Sequence, residues 1–260
     1  MKYYVVDAFA TRVFEGNPAG ICILDRWLSP EQMQQIATEN NLSETAFAVK
    51  EDEDYRLRWF TPAAEIDLCG HATLATAFVL AQYYEPKAEQ FVFHTLSGTL
   101  VVKRSEDRYE LDFPSRIPEP IAISEDMIQA LGVTPSEAYL SRDLMFVLEN
   151  EEQVRNLTPD FSALKSLPDG LGVNVTARGN EVDFVSRSFF PKLQVNEDPV
   201  CGSAHCNFIP FWSQRLNKTE MVARQLSKRG GTLYCTAQGE RVKIAGNAVL
   251  YAEADLKLDM

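Results

Sequence analysis

The order of residues around Cys69 recurs around Cys201, and this internal repeat limits what the chain can fold into more than any other feature. In the first copy, Ala46-Phe47-Ala48-Val49-Lys50, an acidic turn, Tyr55-Arg56-Leu57-Arg58-Trp59-Phe60-Thr61-Pro62 and Cys69-Gly70 follow one another. In the second, Val173-Asn174-Val175-Thr176-Ala177, a Gly179-Asn180 turn, Val182-Asp183-Phe184-Val185-Ser186-Arg187-Ser188-Phe189-Phe190-Pro191 and Cys201-Gly202 do the same. Each Cys-Gly opens an apolar, helix-like run, and each run is followed by Thr-x-x-Gly and a strand, at Thr95 to Gly98 and at Thr236 to Gly239. A duplicated unit of this length predicts an α+β protein of two similar lobes with a cleft between them, because a solenoid uses shorter and more numerous repeats. Pro114, Pro118 and Pro120 prevent regular structure between the copies and place the lobes at 1–117 and 118–260.

Composition then narrows the function. With 260 residues, of which 45% are hydrophobic, the chain can bury two cores. A net charge of −12 opposes binding to nucleic acid or to an anionic membrane surface, both of which need a positive footprint. A small-molecule ligand fits better. The opening Met1-Lys2-Tyr3-Tyr4-Val5-Val6-Asp7 reads as a strand rather than a signal peptide, and no run is long enough to span a bilayer. Five cysteines without a framework spacing predict reduced thiols and a cytoplasmic protein.

Local signals place the elements that matter. Ser29-Pro30-Glu31-Gln32 combines an N-cap serine, proline at the first helical position and a capping-box glutamine, so a helix begins there with Met33, Ile36 and Ala37 inward and ends near Asn41. Alternation over 42–49 predicts a strand that puts Glu44 on the apolar face of Leu42, Ala46 and Ala48. The run 72–81 is apolar almost all round and reads as a helix buried centrally. A second helix is expected over 203–216, kinked at Pro210. Exterior helices are expected at 124–131 and 158–167, and strands at 139–148 and 172–177.

The candidate chemistry gathers at the two Cys-Gly dipeptides. A helix start offers free N–H groups and a positive dipole end, so Gly70, His71, Gly202 and Ser203 are candidate carboxylate binders. The same dipole favours the thiolates of Cys69 and Cys201, although most free cysteines are simply small buried side chains. Glu44, partly desolvated, suits a general acid/base; His71 can orient a substrate or share a proton; Asp198 can cap a turn or bond a substrate amine or hydroxyl. Zinc ligation by Cys69, His71, Cys201, His205 or Cys206 lacks the tight Cys-x-x-Cys or His-Glu-x-x-His spacing, so no metal is expected. No dinucleotide or Walker loop is present in the sequence either, and no cofactor is expected.

Several segments together resemble the phenazine-biosynthesis PhzF-like family: Val6-Asp7-Ala8-Phe9, Gly16-Asn17-Pro18-Ala19, Asn41-Leu42-Ser43-Glu44-Thr45, Arg58-Trp59-Phe60-Thr61-Pro62, Cys69-Gly70-His71-Ala72-Thr73 and Glu197-Asp198-Pro199-Val200-Cys201-Gly202-Ser203. The resemblance implies the diaminopimelate-epimerase fold, with two pseudo-symmetric lobes, each a mixed sheet wrapped around a central helix, and usually a homodimer. It also implies that Glu44 is the acid/base, that His71 and Asp198 contact the substrate, that the amides at Gly70-His71 and Gly202-Ser203 hold its carboxylate, and that no cofactor or metal takes part. Cysteine at both 69 and 201 departs from the phenazine enzyme and looks like the two-base pair of the epimerases and racemases. Three readings follow: a Glu44-based, cofactor-independent isomerase of a small carboxylate, a two-cysteine racemase or epimerase of an amino or hydroxy acid, and a non-catalytic small-molecule binding protein.

Overall fold

The structure, a computed structural model, describes residues 1–258. Along the chain run β1 (Lys2–Ala8), β2 (Asn17–Leu24), α1 (Pro30–Asn40), β3 (Glu44–Glu51), β4 (Asp54–Phe60), β5 (Glu65–Ile66), α2 (Gly70–Val79), β6 (Gln90–Thr95), β7 (Gly98–Ser105) and β8 (Arg108–Pro114). They are followed by β9 (Glu119–Ile121), α3 (Glu125–Leu131), β10 (Glu137–Leu140), β11 (Leu144–Val147), α4 (Glu151–Asn156), α5 (Phe161–Ser166), β12 (Val173–Arg178), β13 (Phe184–Phe190), β14 (Val195–Asp198), α6 (Gly202–Leu216), β15 (Glu220–Gln225), β16 (Gly231–Gln238) and β17 (Arg241–Asp255). The fold is dominated by mixed sheet. Its contacts divide it into two units, one of residues from Met1 to Asp112 together with those from Ala245 onward, the other of Phe113–Ile244. The end of the chain joins the first unit because β17 pairs antiparallel with β1 from Lys2↔Asp255 to Ala8↔Ala248.

Each unit carries the same strand pattern. In the first, β1–β2 is antiparallel, β2–β3 parallel, β3–β4 antiparallel, β4–β5 antiparallel, β4–β6 parallel and β6–β7 antiparallel. In the second, β10–β11, β11–β12, β12–β13, β13–β14, β13–β15 and β15–β16 repeat that series of directions. The Cys-Gly helix occupies the same place in each series, after the short strand.

In the first unit, α1 covers one face of the sheet and α2 the other. Met33, Ile36 and Ala37 of α1 pack with Cys22, Leu24, Phe47, Val49 and Phe60. The capping box at Ser29 and Gln32 is formed, and Asn41 ends the helix in the left-handed region at φ 50°. Because side chains alternate along a strand, Glu44, Ala46 and Ala48 take the opposite face, against α2. The strand begins at Glu44 rather than Leu42, and residues 45–49 are buried on both faces because β2 and β4 flank the strand and a helix covers each side. α2 is buried over His71–Ala77 and at Val79.

In the second unit, α3, α4 and α5 pack on one face with Val173, Val175, Val185 and Phe189, and α6 lies against β15 and β16. Trp212 of α6 donates from Nε1 to Thr176 Oγ1 at 2.9 Å, which puts the other face of β12 toward this helix. α6 runs as one helix with Pro210 inside it. The expected strand over 139–148 is a hairpin instead, β10 and β11, because the polar Ser141-Arg142-Asp143 forms its turn. The helix expected at 158–167 starts later, with Asp160 rather than Thr158 as its cap.

Strand register also corrects the alignment of the two copies. Thr45 pairs with Phe60, and Val173 pairs with Phe189, so Thr45 rather than Ala46 matches Val173. The position matching Glu44 is therefore Gly172. A Cβ there would stand 2.2 Å from the ring of Phe190, so the second unit has no room for a side chain where the first carries its carboxylate.

Asp183 ties the β12–β13 turn to β15. It accepts from Lys218 Nζ at 2.7 and 2.9 Å and from the Val222 amide at 2.8 Å. Burial alone would raise its pKa, but these donors outweigh burial and hold it below the ordinary 3.8. Its stabilising contribution is therefore complete above the unfolded value and is lost as pH falls through the folded one. Asp183→Asn is expected to cost on the order of 1 kcal/mol near neutral pH, discounted for the half-exposed Lys218. Thermal unfolding followed by circular dichroism at neutral pH and below 3.8 checks this: the gap from the parent protein should close at the lower pH.

Candidate active site

Three of the expected site residues meet at one corner of the first unit. Glu44 opens β3 on the α2 side, and His71 lies in the first turn of α2, which puts Glu44 Oε2 3.0 Å from His71 Nε2. The pair is screened from water, with side-chain exposures of 17% and 9%. The other ring nitrogen, Nδ1, lies 3.3 Å from Asn17 Nδ2 and 3.6 Å from Cys69 Sγ. Asn17 can turn its amide nitrogen to a bare Nδ1 or its oxygen to a protonated one, and so holds the ring in either state. It is reached through Gly16, whose φ of 68° and close approach to Ala8 O, 2.1 Å from where a Cβ would be, admit only glycine. The sequence shows Asn17 only within the Gly16-Asn17-Pro18-Ala19 motif of the resemblance; its signal as a site residue is a polar side chain at the mouth of a buried strand.

Cys69 is the N-cap of α2 and has no side-chain capping bond. Its carbonyl accepts from the Thr73 amide at 3.2 Å and from Thr73 Oγ1 at 2.5 Å, which fixes the Cys69-Gly70 peptide. The expected thiolate is not what the surroundings favour. Burial pushes the Cys69 thiol up, Glu44 adds to that, and His71 only partly offsets them. For His71, burial acts downward and the neighbouring Glu44 carboxylate acts upward, and the imidazole stands well above its ordinary value.

The matching corner of the second unit is built alike and equipped differently. Cys201 is the N-cap of α6, and His205 Nδ1 lies 2.7 Å from its carbonyl, the role Thr73 plays in α2. Ser203 stands where His71 does, with Oγ 3.3 Å from Cys201 Sγ. Arg142, which sequence reasoning missed, donates from Nη2 to Ser203 Oγ at 3.0 Å and is steered by the buried Asp143, whose other oxygen accepts from Gly172 N–H. Asp198 Oδ1 accepts from the Val200 amide at 3.1 Å, closing an Asx turn just before the helix. Gln225 clamps the same turn, accepting from Cys201 N–H at 2.9 Å and donating to Asp198 O at 2.6 Å. A Cβ on Gly202 would meet nothing within 4 Å, so the start of α6 opens onto free space. Burial raises Cys201 well above the ordinary thiol range, and the carboxylate of Asp198 adds to it.

The same scaffold holds both corners. Arg58 makes a two-pronged bond to Glu65, and Arg187 makes the equivalent one to Glu197, each bracing the strand that leads to its Cys-Gly turn.

The family described as "Phenazine biosynthesis-like protein" matches residues 6–254. The chain belongs to this PhzF family. An uncharacterized isomerase of Pseudomonas aeruginosa is 52% identical over 259 residues, 99% of each chain. The crystal structure of a PhzF-family phenazine biosynthesis protein from Enterococcus faecalis superposes with a TM-score of 0.98 at 58% identity, covering 99% of both chains. A probable proline racemase from Agrobacterium radiobacter shares the fold at a TM-score of 0.66 and 9% identity, over 99% of this chain and 93% of that one. This PhzF-family chain is thus an isomerase on an epimerase/racemase-type fold. Among the described residues, no helix is long and apolar enough to cross a membrane.

All five cysteines of the chain are buried and free. With Cys69 and Cys201 held as thiols, alkylation by iodoacetamide near neutral pH is expected to run at least about tenfold slower than for free cysteine, and all five should react once the chain is unfolded. Rapid labelling of Cys69 or Cys201 in the folded protein, read by peptide mass mapping, would show a thiolate.

Proposed function

We propose that this isomerase needs no cofactor and moves a proton between carbons next to, or conjugated with, a carboxylate. The observation that carries the reading is the 3.0 Å approach of Glu44 to His71 at the buried start of α2. In this reading the Glu44 carboxylate takes a proton from a substrate carbon, and the electron pair left behind spreads into the carboxylate or the conjugated system. Glu44, in exchange with His71, then returns a proton at a second carbon. Atoms and charge balance without an oxidant or reductant. Proton transfer by a positioned side chain contributes roughly 10² to 10⁴ in rate, and donors aimed at the developing negative charge add to it.

The proposal includes the two-lobe arrangement implied by the family resemblance. There, one substrate meets the helix starts of both copies of the repeat. Its carboxylate lies on the amides of Gly70, His71, Gly202 and Ser203, and Asp198 bonds a substrate amine or hydroxyl. Arg142 positions the Ser203 hydroxyl for this task. A reduced, cytoplasmic homodimer completes the reading, with a small carboxylate as its ligand and neither nucleic acid nor membrane as partner.

The two-cysteine racemase is the rival, favoured by cysteine at both helix caps and disfavoured by the burial that keeps both thiols protonated. Incubation in deuterated water with amino acids, hydroxy acids and dihydroaromatic acids, read by mass spectrometry, identifies a reacting substrate. With it, Glu44→Gln is expected to lose carbon exchange by about 10² to 10⁴, while Cys201→Ala loses less than about tenfold. Exchange that survives Glu44→Gln and disappears in Cys69→Ala and Cys201→Ala would assign the reaction to the thiols instead.

A further inference from the structure

We infer that Glu44, Cys69 and His71 form a chelating site for one soft divalent cation of the zinc class, and that the bound cation inhibits the isomerase. The inhibition rests on the acid–base reading of this site; the binding does not.

A carboxylate oxygen, a thiol sulfur and an imidazole nitrogen lie within 4.8 Å of one another here, and among the described residues no second such group of three is found. Sulfur and nitrogen bound to one tetrahedral zinc at about 2.3 and 2.0–2.1 Å stand roughly 3.6 Å apart. Cys69 Sγ and His71 Nδ1 are already 3.6 Å apart. A carboxylate oxygen of Glu44, the first residue of β3, lies within 4.8 Å of the sulfur and of an imidazole nitrogen. Glu44 Oε2 is a buried polar atom without a well-directed hydrogen bond, so the carboxylate has coordination to gain. A thiolate, an imidazole and a carboxylate leave a fourth position for water, a donor set suited to zinc and poorly suited to magnesium or calcium.

Binding replaces the S–H bond of Cys69 with a metal–sulfur bond and the Nδ1–H bond of the His71 imidazolium with a metal–nitrogen bond, and sends both protons to solvent; no group is oxidised or reduced. The cation then occupies both members of the acid–base pair. The second unit cannot bind in the same way: beside Cys201 stand Ser203 in place of the imidazole and Gly172 in place of the carboxylate.

Cobalt(II) titrated into the reduced, chelator-treated full chain tests the site. The expected result is a thiolate-to-cobalt charge-transfer band with tetrahedral visible bands, saturating at one cobalt per chain and bleached by zinc. The bands should vanish in Cys69→Ser, persist in Cys201→Ser and require at least about tenfold more cobalt in Glu44→Gln. Circular dichroism of each variant controls for folding, and if Cys69→Ser does not fold, the Glu44→Gln titration decides alone. Absence of the thiolate band, its survival in Cys69→Ser, its loss in Cys201→Ser or unchanged affinity in Glu44→Gln overturns the site. Where exchange activity is found, one equivalent of zinc should abolish it and a chelator restore it. Exchange indifferent to saturating zinc overturns the inhibition, whereas a cobalt band on a protein that exchanges no proton leaves the site standing and removes the isomerase reading.

Discussion

A helix that is apolar on every side has no face to give to water, and α2 is such a helix. Leu74, Ala75, Ala77 and Val79 are completely buried, and the helix packs on β1, β2, β3 and β7. Removing a leucine or valine side chain from water is worth roughly 1.5–3 kcal/mol, and the sheet meets the helix with small residues such as Ala46 and Ala48. Burying the whole helix also buries its start. Cys69, Gly70 and His71 are carried inside, where backbone donors need an acceptor and an imidazole needs a carboxylate. Glu44 meets the second need because strand parity places it on the Ala46 side.

The repeat supplies the frame twice and the Glu–His pair once. Arg58 with Glu65 and Arg187 with Glu197 brace equivalent strands, and Thr73 and His205 hold the carbonyls of equivalent cysteines. The equivalence ends at the positions of the proposed acid–base pair. His71 corresponds to Ser203, and Glu44 to Gly172, whose space is taken by Phe190. One corner pairs a carboxylate with an imidazole; the other has Arg142 and Ser203 at an open helix start. Two thiols at matching caps give an appearance of symmetry that burial cancels, since it disfavours the thiolate in both.

Much of this was legible in the chain. Capping chemistry around Ser29 and Ser124 placed two helices because those bonds are local. The apolar run after Cys69 placed the buried helix, and Glu44, a carboxylate on an apolar face, was found by period-two alternation. What escaped depended on partners distant in sequence. The one-residue offset between the copies shows only in the pairing of Thr45 with Phe60 and Val173 with Phe189. Asn17, the first residue of β2, and Arg142, in the turn before β11, read as loop positions until β2 and β11 are laid beside their parallel neighbours.

The sequence by itself determined the duplication, the elements with local caps and the family to which the chain belongs, because repeats, capping boxes and motifs are written in neighbouring residues. Only the tertiary structure decided which groups touch and which protonation states are favoured. Glu44 and His71 are 27 positions apart in the chain and 3.0 Å apart in space. The helix dipole that favours a thiolate at Cys69 is readable from its place before a helix, whereas the desolvation that overrules it depends on what the rest of the unit packs around that sulfur.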